Sequence, residues 1–209
     1  MIIKYSTLLK ALRILVIMPL SLATVYGQMR TEPLELGEKA PLVDLELKDT
    51  SGEMISLNNS RGPNGLLVIF SCNTCPWVKK WEDRYNEIAK KAKQRGIGMV
   101  TVNPNEAYRD NGDSFEDMVE RAERMEYSFF YALDENHKLA DAFGAMRTPE
   151  VFLFDRDLSL VYHGAIDDNA QSADNVENAY LKQALSDLAN KQEISPANTK
   201  SLGCSIKRV

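Results

Sequence analysis

Residues 66–81 read LLVIFSCNTCPWVKKW, and this stretch decides which fold the chain is expected to adopt. Residues 66–70 form a continuous apolar run, which is typical of a strand buried on both faces. Cys72 and Cys75 follow, and Pro76 stands directly behind them. A proline is tolerated in the first turn of a helix, because the N–H group that it lacks would have no partner there. The stretch therefore predicts a buried strand, a turn that carries two cysteines, and a helix.

An apolar stripe continues the pattern beyond the cysteines. Apolar side chains recur every three or four residues, which is the spacing of one helix face. The residues of this stripe are Trp77, Trp81, Tyr85, Ile88 and Ala92. We interpret Trp81 as a core residue and Trp77 as a residue that helps to cover the cysteines.

The rest of the chain alternates between strand and helix patterns. Ser114 and Asp117 have the spacing of a capping box at a helix start. The predicted strands cover residues 43–47, 54–57, 66–70, 97–102, 129–134, 151–154 and 158–163, and the predicted helices begin at residues 77, 114, 136 and 176. This order predicts an α/β fold with a central mixed, mostly parallel sheet flanked by helices and an N-terminal β-hairpin extension.

The first 27 residues differ from the remainder and are predicted to be a signal peptide. Positive residues, the last of them Arg13, precede an apolar run over residues 14–25, which is too short to span a bilayer. An uncleaved amphipathic anchor or a core helix is the alternative interpretation. We expect residues 28–37 to be a linker, residues 38–192 to be the folded domain, and residues 193–209 to be a polar tail. The protein is expected to be exported, either periplasmic or secreted.

The charge of the chain argues against two classes of partner. The sequence has 25 basic and 30 acidic residues. If the three basic residues of the leader are removed, 22 basic residues remain against 30 acidic ones, a net charge of about −8. An acidic surface disfavours nucleic acid and anionic membrane surfaces. We therefore expect no nucleic-acid partner and no stable membrane insertion after cleavage.

The two cysteines have the spacing of a redox-active pair. Cys72 is predicted to lie where the buried strand gives way to the helix, and the free N–H groups of a helix start favour a thiolate. Cysteines three residues apart at a helix start lie about one turn apart, so they can form and break a disulfide without moving the fold. In the expected mechanism, the Cys72 thiolate attacks a substrate disulfide and Cys75 then attacks Cys72 to release the reduced substrate.

Thr148 and Pro149 precede another predicted strand. Proline is accepted as the first residue of a strand, and peptide bonds before proline are the common place for a cis bond. An ordinary trans proline in a loop is the alternative. If the bond is cis, Thr148 and Pro149 are the candidate substrate-binding residues, together with Trp77.

Five stretches together resemble the thioredoxin-like superfamily, and more closely its redoxin branch of AhpC/TSA-type, peroxiredoxin-like proteins. They are CNTCPWVK (72–79), NPNEA (103–107), TPEVFLFD (148–155), HGAIDD (163–168) and GCSIK (203–207). The resemblance spans residues 36–209. It implies a thioredoxin-like fold, a redox pair at Cys72 and Cys75, and a cis-proline loop at Thr148–Pro149 that lies against the pair and offers its backbone to an extended substrate.

The sequence departs from its relatives in two places. Thr74 stands where many relatives have a histidine, which removes one source of thiolate stabilisation. The strand at 66–70 also lacks the buried acid that thioredoxin has there, so no residue for proton transfer can be named from the sequence.

The main rival function is a peroxiredoxin-like thiol peroxidase. Peroxiredoxins use a Thr-x-x-Cys pattern with an essential arginine. Cys72 replaces that threonine here, Cys75 occupies the peroxidatic position, and Arg147 is a candidate for the arginine. Cys204 is either a free tail thiol or a resolving cysteine that reaches back to the pair.

Two further classes of function are alternatives to a thiol enzyme. A zinc site would need four ligands, such as the three cysteines with His137 or His163, and neither histidine has a second ligand nearby in sequence. A non-catalytic binding module is the other alternative. We predict no metal and no cofactor. The expected partners are protein disulfides or dithiols, or small hydroperoxides, together with a thiol partner that donates electrons.

Overall fold

The computed structural model describes residues 30–209. The predicted signal peptide, residues 1–27, lies outside the described residues. Among the residues that the structure describes, none of the helices reaches the length and apolarity that a membrane crossing needs.

Short strands and helices alternate along the described chain. The strands are β1 (Leu47–Asp49), β2 (Met54–Ile55), β3 (Gly65–Phe70), β4 (Ile97–Asn103), β5 (Phe130–Leu133), β6 (Arg147–Thr148), β7 (Glu150–Asp155), β8 (Leu160–Gly164) and β9 (Cys204–Ser205). The helices are α1 (Leu57–Ser60), α2 (Pro76–Lys79), α3 (Tyr85–Gln94), α4 (Phe115–Arg124), α5 (Lys138–Phe143) and α6 (Tyr180–Asn190). Helical 3-10 turns lie at Glu82–Arg84, Glu106–Asn111, Glu135–His137 and Ala173–Asn175.

The strands build a mixed central sheet. Strands pair in the order β2-β1-β5-β4 and in the order β3-β7-β8. The two groups adjoin, because β3 lies beside β4 and the Ser71 N–H donates to the Val102 carbonyl over 2.8 Å. The β4–β5 pair is parallel, whereas β1–β5, β3–β7 and β7–β8 are antiparallel. The prediction of a mixed sheet flanked by helices is confirmed, with more antiparallel neighbours than "mostly parallel" implied, because β7 lies between β3 and β8.

Strand β3 is buried on both faces, as its continuous apolar sequence predicts. Leu66, Val68 and Phe70 pack into one core cluster with residues of α5. Leu67 and Ile69 point to the other face and pack against residues of α3 and α6. Every residue of β3 is buried, so the residues that follow it emerge from the centre of the sheet.

The long helix predicted from residue 77 is interrupted in the structure. Helix α2 ends at Lys79, a 3-10 turn follows, and α3 begins at Tyr85. At this interruption the Trp81 Nε1–H and the Arg84 guanidinium both bind the buried carboxylate of Asp167, over 2.8 and 2.5 Å. The core role predicted for Trp81 is confirmed, since it is 1% exposed.

Capping residues explain where two other helices begin. The capping box predicted at Ser114 and Asp117 is present at the start of α4. The next helix is predicted to begin at residue 136, but α5 begins at Lys138 and Asp134 caps it. Its carboxylate accepts the N–H groups of Leu139 and Ala140, over 2.9 Å each, and a carboxylate is favoured near a helix N-terminus. The predicted N-terminal hairpin is present as β1 and β2.

The segments predicted as linker and tail pack against the domain in their described parts. Leu34 is 5% exposed and its N–H donates to the Phe143 carbonyl over 3.0 Å. Near the other end, β9 pairs with β6 in an antiparallel register that places Cys204 opposite Thr148. A polar composition therefore did not indicate how firmly these segments are held.

Candidate active site

The two cysteines leave the sheet at the end of β3 and lead into α2. Cys75 is the N-cap residue of α2, and Pro76 is its first residue. Cys72 lies three residues earlier, in an irregular turn. The sequence placed Cys72 at the helix start, and the structure corrects this: β3 ends at Phe70, and the turn occupies residues 71–74, which leaves Cys75 at the free N–H groups of the helix.

Three thiols converge at this point. Cys72 and Cys75 are 2% and 3% exposed, and they form a small cluster with Val78. Trp77 and Cys204, both partly buried, pack against that cluster. All three cysteines are free thiols in the structure. The structure thus brings together four residues that the sequence singled out: Cys72, Cys75, Cys204 and Trp77.

The surroundings of the thiols shift their pKa values in opposite directions. Hydrogen bonding from Cys72 is the main cause that lowers the pKa of Cys75 to about 5, and further donors are the Cys204 thiol and the N–H groups of Val78 and Cys204. Donating to Cys75, together with burial and the nearby Asp113 carboxylate, raises the pKa of Cys72. Burial and the contact with Cys75 also raise the pKa of Cys204. Among the three thiols, Cys75 is thus the one whose pKa is lowered.

The loop before β7 lies directly against the cysteines. The Thr148–Pro149 peptide bond is cis, as the resemblance implied. The Thr148 hydroxyl lies 3.3 Å from the Cys72 sulfur, and the Thr148 carbonyl oxygen lies 3.1 Å from the Cys75 sulfur, which donates to it only while Cys75 is protonated. Glu150 steadies this loop, because its Oε2 accepts the N–H groups of Met146 and Arg147 over 2.7 and 2.8 Å.

Asp113 is a buried carboxylate beside the cysteine turn that sequence reasoning missed. It is 0% exposed. Its Oδ1 accepts the Asn73 N–H over 2.7 Å, and its Oδ2 accepts the Thr74 hydroxyl over 2.6 Å. Side-chain amides of Asn103 and Asn105 complete its partners. A signal was present: Asp113 ends the loop after β4, and β4 lies beside β3, so the two loops meet at one edge.

The residues of the alternative functions make no hydrogen bond to the thiols. Arg147 is exposed and donates to the Gly203 carbonyl over 3.1 Å, and it makes no hydrogen bond to Cys75. His137 pairs with Asp141 and His163 pairs with Glu150, each over 2.8 Å. Among residues 30–209, no cluster of three or more His, Cys, Asp or Glu side chains is arranged to hold a metal ion.

An open cleft of about 1050 Å³ is distinct from the cysteine cluster, and its lining includes Asp49, Lys93 and Phe129. None of the three cysteines lines it. The thiol chemistry and this cleft therefore belong to different parts of the surface.

Comparisons with known proteins agree with this geometry. The family model described as the AhpC/TSA family matches residues 36–163. An uncharacterized conserved protein from Geobacillus kaustophilus has a solved structure that is 32% identical, with 84% of this chain and 93% of that chain covered and a TM-score of 0.78. A hypothetical protein from Sinorhizobium meliloti is 29% identical, with 86% and 99% covered and a TM-score of 0.77.

One named relative and several distant structures complete the comparison. Peroxiredoxin Bcp from Bacillus subtilis is 26% identical over 119 residues, which are 57% of this chain and 69% of that protein. Peroxiredoxins and thiol–disulfide oxidoreductases both occur among solved structures at 22% identity or less, and those likenesses show the thioredoxin-like fold alone.

Proposed function

The chain belongs to the AhpC/TSA family, and on that premise we propose that it is an exported thiol–disulfide oxidoreductase whose redox pair is Cys72 and Cys75. One observation carries the proposal: Cys75 caps a helix start, packs against Cys72 and Cys204 and has a lowered pKa, with the Thr148–Pro149 edge against it. The thiolate is the reactive form of cysteine in disulfide exchange, so the residue with the lowered pKa is the attacking one.

The order of attack that we propose is the reverse of the one expected from the sequence. The Cys75 thiolate attacks one sulfur of a substrate disulfide, the substrate S–S bond breaks, and the first substrate thiolate leaves. Cys72 then loses its proton and attacks the Cys75 sulfur, which forms the Cys72–Cys75 disulfide and releases the second substrate thiolate. A dithiol partner that donates electrons would return the pair to the reduced state.

Trapping of mixed disulfides tests the assignment. In a Cys204→Ser background, Cys72→Ser should accumulate a stable mixed disulfide between Cys75 and a model disulfide substrate. The matched variant, Cys75→Ser in the same background, should accumulate none. Peptide mapping by mass spectrometry identifies the bonded cysteine, and a mixed disulfide on Cys72 instead would reject Cys75 as the attacking residue.

Peroxide reduction is the second candidate function, and a specific feature favours it. Cys75 has the peroxidatic position of the family pattern, with a lowered pKa and a donor, Cys72, where peroxiredoxins have threonine. The named relative from Bacillus subtilis is a peroxiredoxin. Against it, the candidate arginine, Arg147, binds the Gly203 carbonyl and not the thiol. The test measures consumption of hydrogen peroxide in the presence of a thiol reductant. Consumption that depends on Cys75 and persists in Cys72→Ser supports a peroxidase.

Export is supported by the leader sequence. The positive start and short apolar run of residues 1–27 have the form of a signal peptide. Expression of the full chain in a Gram-negative host, followed by fractionation and N-terminal mass determination, tests this. Recovery of the protein from the periplasm with a new N-terminus near residue 28 supports export, and an intact chain in the cytoplasm contradicts it.

A further inference from the structure

The C-terminal segment from Ala197 to Arg208, here called the strap, crosses the cysteine site. Upstream of the crossing, the His163 N–H donates to the Ala197 carbonyl and the Thr199 N–H donates to the His163 carbonyl, each over 3.0 Å. The Thr199 hydroxyl bonds the Tyr162 hydroxyl over 2.8 Å. Gly164 permits this contact, since a Cβ there would lie 2.1 Å from the Thr199 hydroxyl oxygen.

The strap is also held downstream of the crossing. The Ile206 N–H donates to the Met146 carbonyl over 3.1 Å, and Ile206 is 6% exposed. The Lys207 N–H donates to the Asn105 side chain over 3.0 Å. The Arg208 guanidinium binds Asp141 over 2.8 Å. Because both ends are anchored, the short stretch between them is confined above the cysteines.

The crossing itself has the form of a docked strand. Cys204 stands opposite Thr148 in an antiparallel register. Gly203 makes the close approach feasible, since a Cβ there would lie 2.4 Å from the Thr148 carbonyl oxygen. Cys204 also packs against the cluster formed by Cys72, Cys75 and Val78. A peptide that adds a strand to an exposed edge uses the same kind of main-chain pairing.

We propose that the strap is a built-in substrate strand: it pairs with Thr148 where an extended disulfide substrate would pair, and it holds Cys204 against Cys75 as the resolving thiol. The inference rests on the proposed function and deepens it. It assigns Cys204 to the reaction, and it names small disulfides as the substrates that react without displacing the strap. An extended protein segment has to compete with the strap for Thr148. The strap belongs to the same chain and therefore has a high effective concentration at this edge.

The electron balance of the added step is simple. The Cys75 thiolate attacks a small disulfide and expels one thiolate, which leaves a mixed disulfide on Cys75. Cys204 gives its proton to solvent and attacks the Cys75 sulfur, so the mixed disulfide breaks and the second thiolate leaves. The protein is oxidised by two electrons to a Cys75–Cys204 disulfide, and the small disulfide is reduced to two thiols. Cys72 can then attack Cys75, which regenerates the Cys204 thiol and yields Cys72–Cys75.

Disulfide mapping in a variant without Cys72 tests the resolving role. Reduced Cys72→Ser protein is treated with hydroxyethyl disulfide, quenched by alkylation at intervals and digested for mass spectrometry. We expect a Cys75–Cys204 disulfide and release of two thiols per protein. A mixed disulfide that persists on Cys75, with Cys204 still alkylated, overturns the inference but leaves the proposed function intact. If Cys75 stays a free thiol in both the wild type and this variant, with neither an adduct nor a disulfide, the proposed function itself is overturned.

A backbone variant tests the docking role without changing a thiol. Gly203→Val should push the strap off Thr148, slow the closure of Cys75–Cys204 by about tenfold, and speed the reaction with an extended peptide disulfide by a similar factor, since one or two backbone hydrogen bonds are lost. Leu202→Ala, at an exposed neighbour, is the matched control and should leave both rates unchanged. Arg147→Ala removes the bond to the Gly203 carbonyl and should act in the same direction if Gly203→Val does not fold. Equal rates in the wild type and in the folded variants overturn the docking role.

Discussion

The lowered pKa of Cys75 leads to the most discriminating prediction. Its largest cause is the hydrogen bond from Cys72, so Cys72→Ala should raise it. A hydrogen bond to a charged group contributes about 1.5–3 kcal/mol, and a thiol is a weak donor, so the lower end applies. That energy corresponds to a rise of about one pKa unit. At pH 5 the thiolate fraction of Cys75 should then fall from about one half to about one tenth.

The assay follows thiolate absorbance in the ultraviolet while the reduced protein is titrated from about pH 4 to pH 8, a range that brackets the expected midpoint. Absorbance is preferable to alkylation alone, because Cys75 is 3% exposed and reagent access would limit the rate. Cys72→Ser is the matched control, since its hydroxyl keeps a donor beside Cys75 and should keep the midpoint low.

Two results would refute the reasoning. An unchanged midpoint in Cys72→Ala would show that Cys72 is not the donor that stabilises the Cys75 thiolate. A low-pH thiolate step that survives Cys75→Ser would show that the acidic thiol is not Cys75; the sequence alone predicted Cys72.

Three further predictions follow from the same contacts. The pKa of Cys75 is lowered to about 5 in the folded state, so above that pH the unfolded chain binds one proton more than the folded protein. The stability of the reduced protein should therefore rise by about 1 kcal/mol per pH unit between about pH 6 and 8. Urea denaturation should show this slope, and Cys75→Ser should flatten it. A stabilised thiolate favours the reduced pair, so the Cys72–Cys75 disulfide should be more oxidising than thioredoxin at about −270 mV; a glutathione titration with a lower value would contradict this. Asp113→Ala should cost at least about 2 kcal/mol of stability in urea denaturation, because it leaves several buried donors without an acceptor. The control Asp110→Ala, at an exposed position, should change the stability by less than about 0.5 kcal/mol. If Asp110→Ala loses as much stability as Asp113→Ala, this explanation is wrong.

Much of the fold could be predicted because its signals are local. Continuous burial of β3, the capping box at Ser114 and the N-terminal hairpin of β1 and β2 each depend on residues a few positions apart. Local signals failed where a distant side chain intervened. The helix predicted from residue 77 is interrupted where Trp81 and Arg84 bind Asp167, which lies more than 80 residues further along the chain.

The sequence by itself determined that two cysteines leave a buried strand toward a helix, and that a proline loop follows at Pro149. It could not determine which cysteine is acidic, because the donors that decide this belong partly to Cys204. Nor could it determine the place of Asp113 or of the strap. Residues 72, 113, 148 and 204 meet only because the ends of neighbouring strands share one edge of the sheet and the strap is anchored across it. Hydrogen bonding and desolvation at that meeting point set the thiol chemistry, and both are properties of the tertiary structure.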